Sequence, residues 1–555
     1  MKKKNLYFHI IADGLIALAA YLHFSGDFPF ATTDSTWKYN RISDTLTHSD
    51  SAWKLKATRS GKRSLTVTGV NTPPSAPSAF SLADAVRRGY AITGIGAGAF
   101  RDCSNLAGAL AVPDSVTNIG GSAFLGCTNL TDVMFGNNVT AIGDFAVFNC
   151  IGLTNVTFDS SVTNIGDRAF YGCSGLTDVA IPDGVTAISA WAFGHCNGLT
   201  GVTLPNSVTS IGDKAFYCCF ELTGTLALPD RVTTIGNGAF ENCARLTGAL
   251  VIPSGVTNIG GSAFAGCTGL TGVTLPDSVT TIGRKAFDGC RGLTDTVTIP
   301  ASVTDIGWGV FGDCGDLAAI SVSAGNTAYK SVDGVLFDIS GTLLLLCPSG
   351  RAGAYSIPVG VTTIGNYAFN CCTRLTGALA IPDSVTYIGG GAFSTCVDLT
   401  GVTIPDSVTF IGDYAFSFCL GLTSVTLPTS VTSIGDTTFY RCTGLTNVTI
   451  PNSVTDIGCS AFYGCTNLIS VTIPVGVTDV GDSAFARCVS LTGVTFMGAC
   501  PDVVGTRLYD RAPSVTSYVH RAHAASWTPK LDSGSLADGT AVWCGRPVRL
   551  AESRE

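Results

Sequence analysis

The sequence predicts a β-rich repeat solenoid with short strands and one helical or 3₁₀ turn per coil, covered by a cap at each end. Three observations carry this expectation. A Cys recurs at 103, 127, 150, 173, 196, 219, 243, 267, 290, 314, 372, 396, 419, 442, 465 and 488, at intervals of 23 or 24 residues apart from one of 58. The residues around it recur with it, so internal repetition decides the architecture before any local propensity does. No unit contains the stretch of about 10–12 amphipathic residues that a regular helix needs.

Each element of the unit follows from its residues. A typical copy begins at Leu199, passes Pro205 and Asn206, Val208, Thr209, Ile211 and Gly212, and ends at Ala215, Phe216 and Cys219. The apolar residues up to the Pro form a short strand, and Pro with Asp or Asn forms a turn. Val-Thr-x-Ile forms a second extended piece, Gly a second turn, and Ala-Phe-x-x-Cys the helical or 3₁₀ turn. The 24-residue copies carry their extra residue between the Leu and the Pro, which places a bulge on one edge of the coil. Leu three residues after the Cys occurs in all 16 copies, and so does the Thr of Val-Thr-x-Ile. The Ile fails once, at Val480, the following Gly once, at Ser189, and the Phe once, at Val147. One unit alone cannot bury Leu, Val, Ile, Phe and Cys; stacked units bury them as ladders.

The pattern Leu-x-x-Val-x-Ile-Pro-x-x-Val-x-x-Ile-Gly-x-x-Ala-Phe-x-x-Cys resembles the repeat of BspA-type leucine-rich-repeat proteins over about 91–496. The long interval also resembles that family's variant coil with a hairpin, through Asn326, Tyr329, Asp333, Gly334 and Phe337. Asp333 and Gly334 supply a turn, and 335–337 with 343–346 supply two paired strands. The resemblance implies an exported surface protein that binds matrix proteins or other cells, without specifying the ligand.

The resulting organisation is a signal peptide at 1–24, an N-terminal cap at 25–90, repeats at 91–317, the variant coil at 318–357, repeats again at 358–496, and a C-terminal cap at 497–555. Lys2, Lys3 and Lys4 precede an apolar stretch over 6–24, with small residues at Ala17 and Ala19, the pattern of a secretory leader. No Cys near that point suggests lipidation, and no later apolar run reaches the roughly 20 residues that span a membrane. In the N-terminal cap, Trp53 with 54–55 and 64–69 read as a strand pair ahead of a Pro/Ser-rich stretch at 72–78. In the C-terminal cap, 515–519 read as a strand, with Trp527 and Trp543 as packing anchors. Both caps answer the need to cover an open ladder edge.

Charge excludes one class of partner. The chain carries a net −8, but residues 91–500 hold 13 basic and 28 acidic side chains, a net of −15. Nucleic-acid binding needs a basic stripe to displace counterions, and this region would repel phosphate.

The chemistry-bearing residues are sparse. The Cys row contains no Cys-x-x-Cys pair of the kind zinc sites use, and reads as a row of small buried thiols. Cys218, Cys371 and Cys459 stand in slots that hold Gly, Asp or Asn elsewhere and are expected to be exposed, while Cys500 and Cys544 are a candidate pair in the C-terminal cap. His195 is expected on the solvated surface, and His520 with His523 lack a third metal ligand. Asp114, Asp183, Asp277, Asp383 and Asp406 follow Pro and read as turn formers bonding their own backbone. The invariant Thr reads as β-propensity with hydroxyl bonding within the coil; a Thr face matching ice is a remote alternative. No catalytic constellation, cofactor or metal is expected.

Recognition is therefore expected in variable slots. Aromatics gather there after the hairpin coil: Tyr367, Tyr387, Phe410, Tyr414, Phe418, Tyr440 and Tyr463, bordered by Asp413 and Asp436. Exposed aromatics are favoured at binding hot spots. The function expected is a non-catalytic adhesion surface for an extracellular protein or glycan, secreted or at the cell surface. A structural spacer or self-associating surface component is the alternative.

Overall fold

In the computed structural model the described residues are 20–22, 37–40, 45–48, 53–61, 64–72, 82, 91–294, 296–537 and 539–551. They form a parallel β-solenoid. The chain divides into two compact units, Met1–Ala286 and Phe287–Glu555.

Each regular coil has two short strands and a turn segment. In the first unit one parallel sheet runs through Gly108–Ala111, Leu130–Met134, Asn155–Thr157, Asp178–Ala180 and Gly201–Thr203. The two-residue strands of Thr-x-Ile pair in register one coil apart, as Asn118↔Ala141 and Ile119↔Ile142. The same arrangement recurs in the second unit, where Gly401, Ser424 and Asn447 align. Three of the 24-residue coils carry a register shift in the first strand, at Gly108/Ala109, Gly248/Ala249 and Gly377/Ala378, where the bulge was expected.

The segment expected as a helical or 3₁₀ turn is a run of turns with left-handed residues in it. Alternate N–H groups take different partners. Phe124 and Gly126 donate to Ala146 and Phe148 of the next coil, while Ala123, Leu125 and Cys127 close bonds three residues back. Ser122 and Gly126 have φ +58° and +73°. The inter-coil bonds thus compete with the continuous pattern a helix requires. The close approach of coils also explains the recurring Gly: a Cβ on Gly120 would lie 2.4 Å from the Ala97 nitrogen.

Stacking turns every repeat residue into a ladder. Phe170, Phe193, Phe216 and Phe240 stack face to face at centroid distances of 5.3, 5.5 and 5.2 Å. The polar slots make ladders too, and here the sequence reading needs correction. The Thr hydroxyl bonds between coils: Thr140 Oγ1 donates to the Thr117 carbonyl at 3.1 Å, and Thr209 Oγ1 to that of Thr186 at 3.1 Å. Asp114 and Asp406 likewise accept from the backbone N–H of Asn137 and Thr429 one coil on, while Asp159 does accept from its own turn, at Ser161. The Cys thiols donate to the Phe carbonyl of the coil before, as Cys196 does to Phe170 at 3.1 Å.

The variant coil contains four strands, the first of which, Ile320–Val322, runs parallel to Val297–Ile299. Tyr329–Val332 and Val335–Asp338 form a hairpin around Asp333 and Gly334, both left-handed. Val335–Asp338 pairs with Leu343–Leu346, which in turn runs parallel to Thr363–Ile364 and so rejoins the ladder. Asn326 anchors the hairpin. Its buried amide donates to the carbonyls of Pro300 and Val303 and accepts from the N–H of Ala328 and Tyr329. Asn326→Ala is expected to lower stability by about 2–3 kcal/mol by stranding those groups; an unchanged urea midpoint would show that water replaces them.

At the N-terminal end, Lys54–Gly61 pairs antiparallel with Ser64–Thr72, and buried Trp53 meets the Phe100 ring edge-on at 6.5 Å. Of the stretch expected as a signal peptide, only Ala20–Leu22 is described, as a strand beside Ser64–Thr72 and Ile92–Ile95; the rest, like 73–78, lies outside the described residues. At the C-terminal end Thr516–Val519 extends the sheet beside Gly493–Phe496. Trp527 and Trp543 are buried edge-on to each other and to Phe496, at 4.8 to 5.4 Å. Cys500 and Cys544 are free thiols.

Candidate functional site

With the recurring residues engaged in ladders, the variable slots hold the chemistry that remains. The structure divides the seven aromatics expected to act together into two groups. Tyr387 and Phe410 occupy the x of Thr-x-Ile in adjacent coils, pair in register, and stack at 4.8 Å and 12°. Both are exposed, at 39% and 45%. Tyr367 belongs with them through Trp308, whose ring stacks on it at 4.9 Å.

Trp308 was not singled out from the sequence, although a signal existed. It stands after Ile-Gly, where other coils carry Asp, Asn, Gly, Ala, Arg or Cys, immediately before the long interval. The variant coil has no Ala-Phe-x-x-Cys segment. Instead the Cys347 N–H and the Ser349 hydroxyl bond the carbonyls of Ala368 and Asn370. Trp308 and Tyr367 therefore meet although 59 positions apart. Beside them lies a cleft of about 270 Å³ lined by Trp308, Leu336, Leu343, Leu345, Thr363 and Tyr387. An apolar cleft with a few polar groups at its edge is the usual form of a small-ligand or side-chain pocket.

The second group lies on the turn face. Phe418 meets Tyr440 at 5.4 Å, and Tyr440 stacks on Tyr463 at 4.9 Å and 7°. Arg441 lies over Phe418 and Tyr440, and Arg487 over Tyr463. Tyr414 is half exposed, with no ring partner among the aromatic pairs of either group. Tyr367, Tyr414 and Phe418 all have left-handed backbone, with φ near +60°, uncommon for bulky residues.

The acidic border is built into the scaffold. The carboxylates of Asp413 and Asp436 accept the backbone N–H of Asp436 and Cys459 at 2.8 and 2.6 Å. With Asp456, Asp479 and Asp482 they line a shallow groove in the coils that follow Phe410.

The remaining candidates fall as follows. Cys459 is exposed and Cys371 half-buried, but Cys218 is buried, against the expectation, at a left-handed position beside Asn242. Burial pushes the ladder thiols up, to about 12 for Cys267 and Cys419. His195 is not a freely solvated residue. Its ring packs edgewise between Tyr171 and Tyr217, 5.2 Å from each, and burial and the Lys214 ammonium lower its pKa. His520 Nδ1 accepts the Ala522 N–H. No three metal-ligating side chains cluster among the described residues.

These features define a leucine-rich-repeat solenoid, a fold that is typically non-catalytic, with aromatic surface groups on invariant scaffolding. The model of the BspA type leucine rich repeat region matches at 93–332 in three overlapping segments and again at 362–492, about two thirds of the chain. The chain belongs to that family. Among solved structures, a leucine rich cell surface protein of Faecalibacterium prausnitzii is 26% identical, covering 82% of this chain and 95% of its own, with a TM-score of 0.41. A leucine-rich repeat protein of Bacteroides ovatus is 24% identical, covering 80% and 94%, with a TM-score of 0.45. The pneumococcal vaccine antigen PcpA is 16% identical, covering 92% and 99%, with a TM-score of 0.38. No curated protein matches the chain.

Proposed function

We propose that the protein is an exported, non-catalytic binding surface that attaches to an extracellular protein or glycan through the aromatic cleft beside the variant coil. The observation that carries this reading is the pair of stacks, Trp308 on Tyr367 and Tyr387 on Phe410, at an apolar cleft. Exposed rings in contact with one another form a continuous flat surface, and such a surface favours association. The family supports a protein-binding role, and the Lys-led apolar N-terminus supports export.

The test is a binding screen of the full chain against matrix proteins, mucins and glycans, with the double variant Tyr387→Ala/Phe410→Ala alongside. Saturable binding that weakens at least about tenfold in the variant is expected, because two hot-spot rings are lost. The melting curve should stay within about 0.5–1 kcal/mol of the parent, since both rings are surface groups. Binding that survives in the variant would remove the cleft from the reading. Self-association without any ligand would favour the spacer role.

A further inference from the structure

The first unit carries a different surface, on its turn face. The first left-handed slot of successive coils holds Gly98, Ser122, Phe145, Arg168, Trp191, Lys214, Gly238, Ser262 and Lys285, with φ between +55° and +68° throughout. Small residues suit this backbone, and Gly adopts it without penalty. Large side chains stand there in four consecutive coils, flanked on both sides by Gly and Ser. Bulky residues held in that region are a local strain, and such strain clusters at functional sites.

The four side chains alternate ring and cation, and they touch. Arg168 lies 5.5 Å from the Phe145 centroid and 5.6 Å from that of Trp191; Lys214 lies 4.7 Å from Trp191 and 4.8 Å from Tyr217. The indole is also edged by the rings of Tyr171 and Tyr217. Room for it comes from Gly194, which stands where neighbouring coils have Tyr171 and Tyr217; a Cβ there would come within 3.1 Å of both the Trp191 and Tyr171 rings. The adjacent carboxylates of Asp144, Asp167 and Asp213 accept backbone N–H groups of the next coil, and that of Glu241 lies near the Lys214 ammonium. The two cations thus lie over rings, on a partly exposed face.

We propose that this face binds an acidic glycan in which a carboxylated sugar alternates with a neutral one. Within the first left-handed slot rings and cations each recur every second coil, while Tyr171 and Tyr217 add a ring to the coil of each cation. Two coils span roughly 10 Å at the strand spacing, which is the length of a disaccharide. The flat rings offer apolar area to sugar faces, and Arg168 and Lys214 offer charge-assisted hydrogen bonds to the carboxylates between them.

Hyaluronate oligosaccharides, which alternate in this way, are the probe, measured by titration calorimetry on the full chain beside dextran and polygalacturonate. Arg168→Gly/Lys214→Gly is the principal variant, because Gly removes the charge and relieves the backbone at once. Saturable hyaluronate binding is expected, weakening at least about tenfold in this variant and with added salt, while the melting temperature holds or rises. Trp191→Ser should weaken it as well. Tyr387→Ala/Phe410→Ala should leave it unchanged, which separates this site from the cleft of the second unit. Absence of hyaluronate binding, equal binding of neutral dextran, or survival in the double-glycine variant would overturn the proposal. Tighter binding of polygalacturonate, which is charged on every sugar, would overturn the alternation.

Discussion

Phe416→Ala is expected to lower the stability of the second unit by about 3–5 kcal/mol, the range for truncating a large buried aromatic. Phe416 is fully buried and stacks on Phe393 at 5.3 Å and on Phe439 at 5.5 Å. Truncation removes both stacks, and the backbone around the site cannot close, because each coil is bonded to the next through the turn segment. Here Phe416 donates to the Thr438 carbonyl and Phe393 to that of Ala415. The first unit shows what compensation requires. There Val147 replaces the ladder Phe, and Phe135 and Phe158 stack on each other at 5.7 Å and meet Phe170 edge-on. Two extra rings flank the one missing ring. No such pair surrounds Phe416, so a denaturant midpoint shifted by less than about 1 kcal/mol would show that the ladder repacks.

The second large effect is alkaline. Cys396, Cys419, Cys442 and Cys465 are completely buried, and burial raises each thiol above its ordinary value near 9, to about 12 for Cys419. A group whose folded pKa lies above its unfolded pKa contributes its full stability below the unfolded value. That contribution is lost as pH rises from there towards the folded value. Between pH 9 and 12 the unfolded chain releases these protons while the fold holds them. At pH 10, about one unit above the unfolded value, each such thiol lowers stability by roughly 1 kcal/mol, and four coils unfolding together lose several kcal/mol, a large part of the whole stability of a domain. Denaturant unfolding at pH 8 and pH 10 should therefore differ steeply. Replacing those four Cys by Ala should flatten the difference even though it costs stability at both values. An equal pH dependence in parent and variant would sink the account.

The exposed aromatics belong to a different scale of effect. Tyr387, Phe410 and Trp308 are surface groups, so their removal should be read in binding before it is read in folding. The same holds for Arg168 and Lys214, where glycine suits the backbone better than the native side chain.

By itself, the sequence determined the coil, its period and the ladders, because a residue type that recurs at a fixed interval meets the same packing problem each time. The hairpin of the variant coil was legible from Asp333 and Gly334, and the C-terminal anchors from Trp527 and Trp543, since both depend on local chemistry. Tertiary structure decided what stacking brings together. It turned the Thr, Asp and Cys slots into bonds between coils, buried Cys218, and packed His195 between two tyrosines. It also divided the seven aromatics between the cleft beside Trp308 and the turn face, and brought Trp308 onto Tyr367 across the coil that lacks Ala-Phe-x-x-Cys. Left-handed backbone in the variable slots was equally invisible, because nothing in Phe145, Trp191 or Tyr414 marks a positive φ. Sequence spacing reports which residues share a slot. Only the stacked coils show which slots share a surface, because that depends on the rotation of each side chain about the coil and not on its place along the chain.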